Sequence, residues 1–448
     1  MSADKRTRLK QWLESGEASL HPLTFPQREL WEASAVPIGD PANHICCLIH
    51  VQGPISPEDC RTSIQQVVQR QEALRLSILP GKERPLQMAR KTGEANFSFR
   101  ELAPAQIQPE ALDELVGEIF RAPFDLVQGP LYRVELLRRG AEDLVLAFAI
   151  HHAIADGWTL GVFVRELVGA YLHAKMGSSE PLPPVPLTYT AWGAAERAFW
   201  QPAELEPRAA FWKKTLAGAP RLWSPPSGPA TLSRWVTQIP AALCTGIREL
   251  TRRSGATLFS TLLAGFQVAL AQWTEIDDLV VGTPVANRGK PAVRETMGYC
   301  ASNVPIRGRI DRQRPFLESL RSVHQTTVDA FAHAMPFAEL VHAMREVAPP
   351  EHNPIYDVRF ALQNHPVPDV AMPGLSAKLR MRSTGTARFH LGCEVTEQGD
   401  TLEVVWLFRA SLFSQAEIED LDRLFHLVFT NACRAPETRI AALMTANQ

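Results

Sequence analysis

The sequence has few cysteines and no pattern to them. Cys46, Cys47, Cys60, Cys244, Cys300, Cys393 and Cys433 are odd in number, scattered, and form no C-x-x-C pair. Neither a zinc knuckle nor a disulfide framework can be read from them, and a reducing compartment fits best. Long apolar runs are also missing. The longest, Leu144 to Ile150, falls far short of the roughly 20 residues that a bilayer span needs. The start, Met1-Ser2-Ala3-Asp4-Lys5-Arg6, leads into polar residues rather than an apolar leader. A soluble, cytoplasmic protein without a membrane partner is expected. There is no surplus of charge of either sign: 46 Lys+Arg face 48 Asp+Glu, for a net charge of −2. That balance argues against nucleic acid as a partner, because phosphate recognition needs a basic excess.

What is present is an ample core. The 448 residues are 45% hydrophobic and 21% charged, which excludes global disorder. That length fits two to three units of about 100–200 residues each. Residues 4–15 have the spacing of a short amphipathic helix, with Leu9, Trp12 and Leu13 on one face and Lys5, Arg6, Arg8 and Lys10 on the rest. Ser56 and Pro57 open a second helix that runs to about Arg70. A hairpin is expected from Leu131–Leu137 and Leu144–His152. Trp158 to Met176 carries the clearest helical period in the chain. The segment Gly177–Pro186 is the strongest linker candidate, because its prolines favour an extended spacer. Beyond it, a buried helix is expected over 256–273 and strands over 279–283 and 403–408. A closing helix starts at Ser414, where Ser414 and Glu417 form a capping box. Helices and strands mix in both halves, so the fold class is α/β or α+β with two lobes.

The most informative stretch is Ala149-Ile150-His151-His152-Ala153-Ile154-Ala155-Asp156-Gly157-Trp158. Alternation along the incoming strand puts His152 on the face of Leu144, Leu146, Phe148 and Ile150, and His151 on the other. Both imidazoles sit where the strand gives way to the start of a helix. A histidine there can take a proton from a nucleophile while the helix start receives a developing oxyanion. The plainer reading is a structural histidine at a strand end. A zinc site is a third reading. It is disfavoured because adjacent histidines face opposite sides of the strand and no third ligand has the right spacing; no metal is expected.

His151-His152-x-x-x-Asp156-Gly157 resembles the HHxxxDG signature of the condensation domains of nonribosomal peptide synthetases, shared with chloramphenicol acetyltransferase and polyketide-associated acyltransferases. Further motifs of that family appear in order. Leu23–Trp31 resembles the first and Arg70–Arg75 the second, with Gln71 where the family usually has His. Tyr189–Trp192 resembles the fourth, Met297–Pro305 the fifth, Met335–Val341 the sixth and Asn353–Val358 the seventh. The resemblance spans residues 20 to 435. Thr159 stands for the common Ser, and Tyr299 to Ser302 depart from the usual apolar residues.

The resemblance implies a V-shaped pseudo-dimer of two chloramphenicol acetyltransferase-like lobes with a tunnel between them. Residues 1–18 would be an N-terminal extension, either packed on the first lobe or serving as a docking element; 19–180 and 181–448 would be the lobes. It implies a condensation enzyme that joins a carrier-bound acyl, peptidyl or polyketide thioester to an amine or hydroxyl acceptor, giving an amide or an ester. The chain would bind no cofactor. The 4'-phosphopantetheine arm would come from an acyl or peptidyl carrier protein in trans, and the acceptor would be a small molecule or carrier-bound. His152 would be the catalytic base, with His151 and Asp156 holding the loop and Gly157 allowing close backbone approach. Asp156 would pair with Arg288, or failing that with Arg75. Trp158, Gly298, Ser302 and Asn303 would bind substrate, and residues 297–303 and 358–363 would be the second lobe's share of the lining. An acyl-CoA-dependent acyltransferase and an inactive carrier-docking module are the alternatives. Epimerisation motifs, the Asp-for-His change of heterocyclisation domains, the DFGWG motif, a carrier attachment site and a P-loop are not found in the sequence.

Overall fold

In the computed structural model, which describes residues 3–32, 34, 36–80, 84–175, 182–224, 230–344, 355–363, 370–372 and 375–444, the apolar run Leu144–Ile150 becomes the middle of a sheet covered on both faces. It lies in the strand Asp143–His151, bonded antiparallel to His44–Gln52 on one side and to Tyr132–Arg138 on the other. Leu144, Leu146, Phe148 and Ile150 pack into one core cluster, together with Ile64 and Val67 of the helix Pro57–Arg70 and Phe163 of the helix Gly157–Lys175. Val145, Ala147 and Ala149 pack into another, under Leu115, Val116 and Ile119 of the helix Pro109–Arg121. Burial on both faces is why this strand reads as a continuous apolar run rather than an alternation.

The fold is mixed α/β, built on two six-stranded sheets and a three-stranded one. The first large sheet runs Val370–Met372, Leu375–Arg382, His44–Gln52, Asp143–His151, Tyr132–Arg138, Phe97–Glu101. The second runs Ser302–Arg309, Asp278–Val285, Val358–Gln363, Leu391–Gln398, Thr401–Arg409, Leu232–Ile239. In the second sheet Val358–Gln363 pairs parallel to both of its neighbours. Its core is filled by the helices Leu258–Thr274 and Gln415–Arg434. Ser414 and Glu417 make the expected capping box, and Ile418, Leu421, Phe425 and Val428 are all buried on the face that the sequence period picks out. Among the described residues no single helix is long and apolar enough to cross a membrane; the bent pair Ala241–Ser254 and Leu258–Thr274 would pass by composition only when taken together.

Contacts among the described residues cross the division expected at residue 180. The strand Leu375–Arg382 leaves the second half and pairs with Cys46–Gln52 in the first sheet. Val293, Met297, Tyr299 and Cys300 also pack into the core of the first half. Hydrogen bonding and burial, not chain order, set the two bodies. The helix Ala3–Glu14 lies against the small sheet formed by Ala18–Pro22, Leu86–Arg90 and Leu76–Leu79. Trp12 and Leu13 pack there on Ala18, Leu79 and Met88, and the Arg90 guanidinium sits 5.0 Å over the Trp12 ring. Residues 177–181 of the expected linker, and Asn353 and Pro354 of the seventh motif, lie outside the described residues.

Candidate active site

The strand Asp143–His151 ends at His151, and His152 opens a short 3-10 turn, His152–Ile154, ahead of the helix Gly157–Lys175. His151 is fully buried and both its ring nitrogens are engaged. Nδ1 accepts from the Ala153 amide at 3.0 Å, which leaves Nε2 to donate to the Ile38 carbonyl at 2.8 Å. Burial pushes its pKa down to about 4. His151 therefore stays neutral and holds the turn.

His152 is only half-buried. Its Nδ1 is sealed from solvent and has no hydrogen-bond partner. Burial first, and the charge of Arg388 second, hold its pKa well below the usual histidine range, so the ring is a neutral base at neutral pH. The ring meets the edge of Tyr299 with centroids 4.3 Å apart.

Asp156 fastens the loop. Its Oδ1 accepts from the Thr159 amide at 3.0 Å and its hydroxyl at 3.1 Å; its Oδ2 accepts from the amides of Cys300 and Ala301 at 3.1 and 3.2 Å. Arg288 Nη2 reaches both oxygens, at 3.1 and 3.2 Å. The pair joins the two halves of the chain, and both side chains are almost fully buried, at 3% and 1% exposed. Arg288 also donates to the carbonyls of Val293, Thr296 and Gly298. Arg75, the second candidate, is elsewhere: its guanidinium is spent on the carbonyls of Val68, Gln69 and Arg90.

Two of the expected substrate contacts also have partners within the protein. Gly298 has φ +153, and a Cβ there would lie 2.2 Å from the Tyr189 ring. Its amide and carbonyl are both engaged by Thr159. Trp158 donates its indole N–H to the Arg294 carbonyl at 2.9 Å and turns toward a cavity of about 540 Å³ lined also by Arg70, Arg165, Glu166 and Glu295. His152 does not line that cavity, nor the apolar one between Ile49, Leu146 and Val164. Asp156 also takes the first-turn amide of the helix, so the helix start serves the loop before any oxyanion. Gly157 is the first residue of that helix. Ser302 is buried with no partner for its Oγ. Asn303 is half-buried and donates to Glu29 Oε1 at 2.7 Å.

Glu29 and Arg388 are the residues that sequence reasoning missed, whereas Tyr299 and Arg359 fall in the two stretches expected to line the tunnel. Glu29 lies in the helix Phe25–Glu32, one turn after Phe25 on its buried face, and that spacing was the available signal. It is 5% exposed, and burial pushes its carboxyl up to about 7 against the opposing pull of Arg388, Asn303, Tyr299 and Arg359. The same helix is bonded to the His152 turn, where Gln27 Nε2 donates to the Ala153 carbonyl at 2.9 Å. In the strand Val358–Gln363, Val358 and Phe360 are core residues, whereas Arg359 faces out and bears on both Glu29 and His152.

The motif stretches interlock around this loop. Thr24 Oγ1 meets the Tyr189 hydroxyl at 2.8 Å, and that hydroxyl lies 2.9 Å from the Tyr299 carbonyl. Glu72 accepts from the amide and hydroxyl of Thr190 at 2.7 and 2.9 Å. Gln71 accepts from the Met297 amide at 3.0 Å and donates to Glu166 at 2.6 Å. Among the described residues no cluster of three or more His, Cys, Asp or Glu could hold a metal ion. Six of the seven cysteines are buried and all are free, and burial pushes the Cys46, Cys47 and Cys300 thiols up, so none is poised as a nucleophile.

A family model described as Condensation domain matches residues 17–448. One of the linear gramicidin synthase subunits of Brevibacillus parabrevis is 28% identical over 94% of this chain, which covers 8% of that protein. Phosphinothricin tripeptide synthetase PhsC of Streptomyces viridochromogenes is 30% identical over 94% of the chain, which covers 40% of it. The chain thus spans less than half the length of these relatives. Among solved structures, the X-domain from teicoplanin biosynthesis superposes with a TM-score of 0.84 at 20% identity, covering 94% of this chain and 96% of that one. The first condensation domain of the CDA synthetase gives 0.77 at 17%, covering 94% and 98%.

Proposed function

Because the chain belongs to the condensation-domain family, whose members join carrier-bound acyl or peptidyl groups to amines, we propose that it forms an amide bond between a carrier-bound thioester and an amine acceptor, with His152 as the base. The supporting observation is His152 itself: a neutral, half-buried ring whose Nδ1 is sealed from solvent, on a loop fastened by Asp156 and Arg288. As the acceptor nitrogen attacks the thioester carbonyl carbon, Nε2 takes its proton. The C–N bond forms, the C–S bond breaks, and the sulfur leaves on the pantetheine arm, with the proton returned from the imidazolium. The arm is substrate here, carried by a carrier protein that another polypeptide supplies. The reading includes the V-shaped pairing of two acetyltransferase-like lobes, which the two six-stranded sheets support.

The test mixes the protein with a carrier loaded with an acyl thioester and an amine, and follows product by mass spectrometry. His152→Ala should lower turnover by about 10²–10⁴-fold with the circular dichroism spectrum unchanged; near-normal turnover would refute the assignment. Equal rates with the corresponding acyl-CoA would favour the acyl-CoA-dependent reading instead. The intact loop counts against an inactive docking module.

A further inference from the structure

His152 is held through its neighbours. The His151 amide donates to the Leu131 carbonyl at 2.8 Å, and His151 Nδ1 takes the Ala153 amide at 3.0 Å. The Ala153 carbonyl goes to another element: Gln27, near the start of the helix Phe25–Glu32, donates to it from Nε2 at 2.9 Å. Gln27 is 1% exposed, and both ends of its side-chain amide are engaged. Oε1 accepts from the Thr24 amide at 2.8 Å, and Nε2 also donates to Gln87 Oε1 at 3.1 Å. A main-chain amide can only donate and a carbonyl can only accept, so these contacts fix which end of the side chain faces the turn. The same helix reaches the other side of His152. Thr24 Oγ1 lies 2.8 Å from the Tyr189 hydroxyl. That hydroxyl spends its proton on the Tyr299 carbonyl, so Thr24 donates to it. Glu29, further along the helix, takes the Tyr299 hydroxyl. Tyr299 is therefore held at both ends, and its ring is the one that meets the His152 imidazole.

We propose that the helix Phe25–Glu32, with Thr24 just before it, sets the position of His152: Gln27 fixes the turn that carries it, while Thr24 and Glu29 fix the Tyr299 ring against its imidazole. The three are positioning residues, since each acts through another group. The inference rests on the condensation reading above and deepens it. A base must come within hydrogen-bond reach of the proton it takes, roughly 2.6–3.2 Å between heavy atoms. A misplacement of about 1 Å can cost about 10²-fold in rate. An imidazole turns about its side-chain torsions unless something blocks it. His152 Nδ1 makes no hydrogen bond, so the ring's direction is left to the turn beneath it and the aromatic ring beside it. Both lead back to one helix. Buried hydrogen bonds in a chain polarise one another, so removing one link weakens the others.

Gln27→Glu keeps an acceptor for the Thr24 amide but turns a carboxylate oxygen toward the Ala153 carbonyl and Gln87. With a loaded carrier and an amine, its kcat should fall about 10²-fold while both KM values stay unchanged. The loss relative to wild type should shrink as pH falls, because the introduced carboxyl regains a proton and can donate to Ala153 again. General loosening would show no such recovery. Tyr189→Phe keeps the ring against Gly298 and removes only the hydroxyl. Its kcat should fall about tenfold, again without a change in KM. Ring-nitrogen NMR of labelled histidines reads the full chain without turnover. In both variants the His152 signals should broaden or split, while those of His324, whose Nδ1 meets Ser260 Oγ at 3.0 Å in the second half, stay as in the wild type. Unchanged His152 signals and kcat in Tyr189→Phe would overturn the proposal, and so would a Gln27→Glu loss that falls on KM or does not ease at low pH. If Gln27→Glu fails to fold, Tyr189→Phe decides by itself. Failure of the condensation reading would look different: His152 signals that respond as described, with no product from any loaded carrier.

Discussion

At the scale of residues, the site depends on buried charges that must stay paired. Asp156→Ala leaves the Arg288 guanidinium buried against carbonyls alone, and should cost about 3–5 kcal/mol in chemical denaturation. Asp156→Ala combined with Arg288→Met should cost less than the sum of the two single changes, because the charges share one network. Glu166 gives a pH signature. It accepts from Arg70 and Gln71, and burial raises its carboxyl from 4.5 to about 7. The folded protein therefore holds that proton more tightly than the unfolded chain does. The associated stability is complete below 4.5 and is lost as pH rises through about 7. Glu166→Gln should flatten the melting temperature across that window; an unchanged slope would show that ionising Glu166 has no cost. The HHxxxDG loop, His152 and the Asp156–Arg288 pair were legible in the sequence because motif order carried them. Glu29 and Arg388 were not: the helical spacing from Phe25 hints at burial of Glu29, but nothing local marks the approach of that carboxylate to an arginine so far along the chain.

Elements were legible where local physics decides them. Ser56 accepts from the Asp59 amide at 3.0 Å, and Ser414 caps its own helix, both where the sequence put them. Ser414→Ala should cost about 0.5–2 kcal/mol, read as a lower urea midpoint with the same slope. The N-terminal helix is a sharper case. Trp12 and Leu13 pack onto the small sheet and Arg90 covers the Trp12 ring. Deleting residues 1–18 should therefore lower stability and slow carrier-bound and small soluble thioester donors alike. A selective loss with the carrier-bound donor would instead assign the segment to docking. What periodicity could not reveal is the pairing of Leu375–Arg382 with Cys46–Gln52, since two strands so far apart in the chain share no local signature.

At the scale of the molecule, that pairing ties the two halves together. Expressed alone, residues 1–180 would leave the His44–Gln52 strand as a bare edge and Asp156 without Arg288. That piece should aggregate or remain unfolded by NMR, and co-expression with 181–448 should rescue it; an independently folded, soluble 1–180 would contradict the shared sheet. The return path of the crossing strand limits movement as well. Immediately after Arg382, Gly385 accepts from the Leu232 amide at 2.8 Å and Ala387 donates to the Ala230 carbonyl at 2.7 Å, so only Ser383 and Thr384 separate a strand of the first sheet from attachments to the second. With so little slack, the halves cannot draw apart at that point without breaking a ladder. Arg388 lies just beyond that junction, on the side of the second half, and its charge is one of the two largest influences depressing His152. The second half thus places, beside the junction that fastens it to the first, a positive charge that opposes protonation of a histidine held by the first.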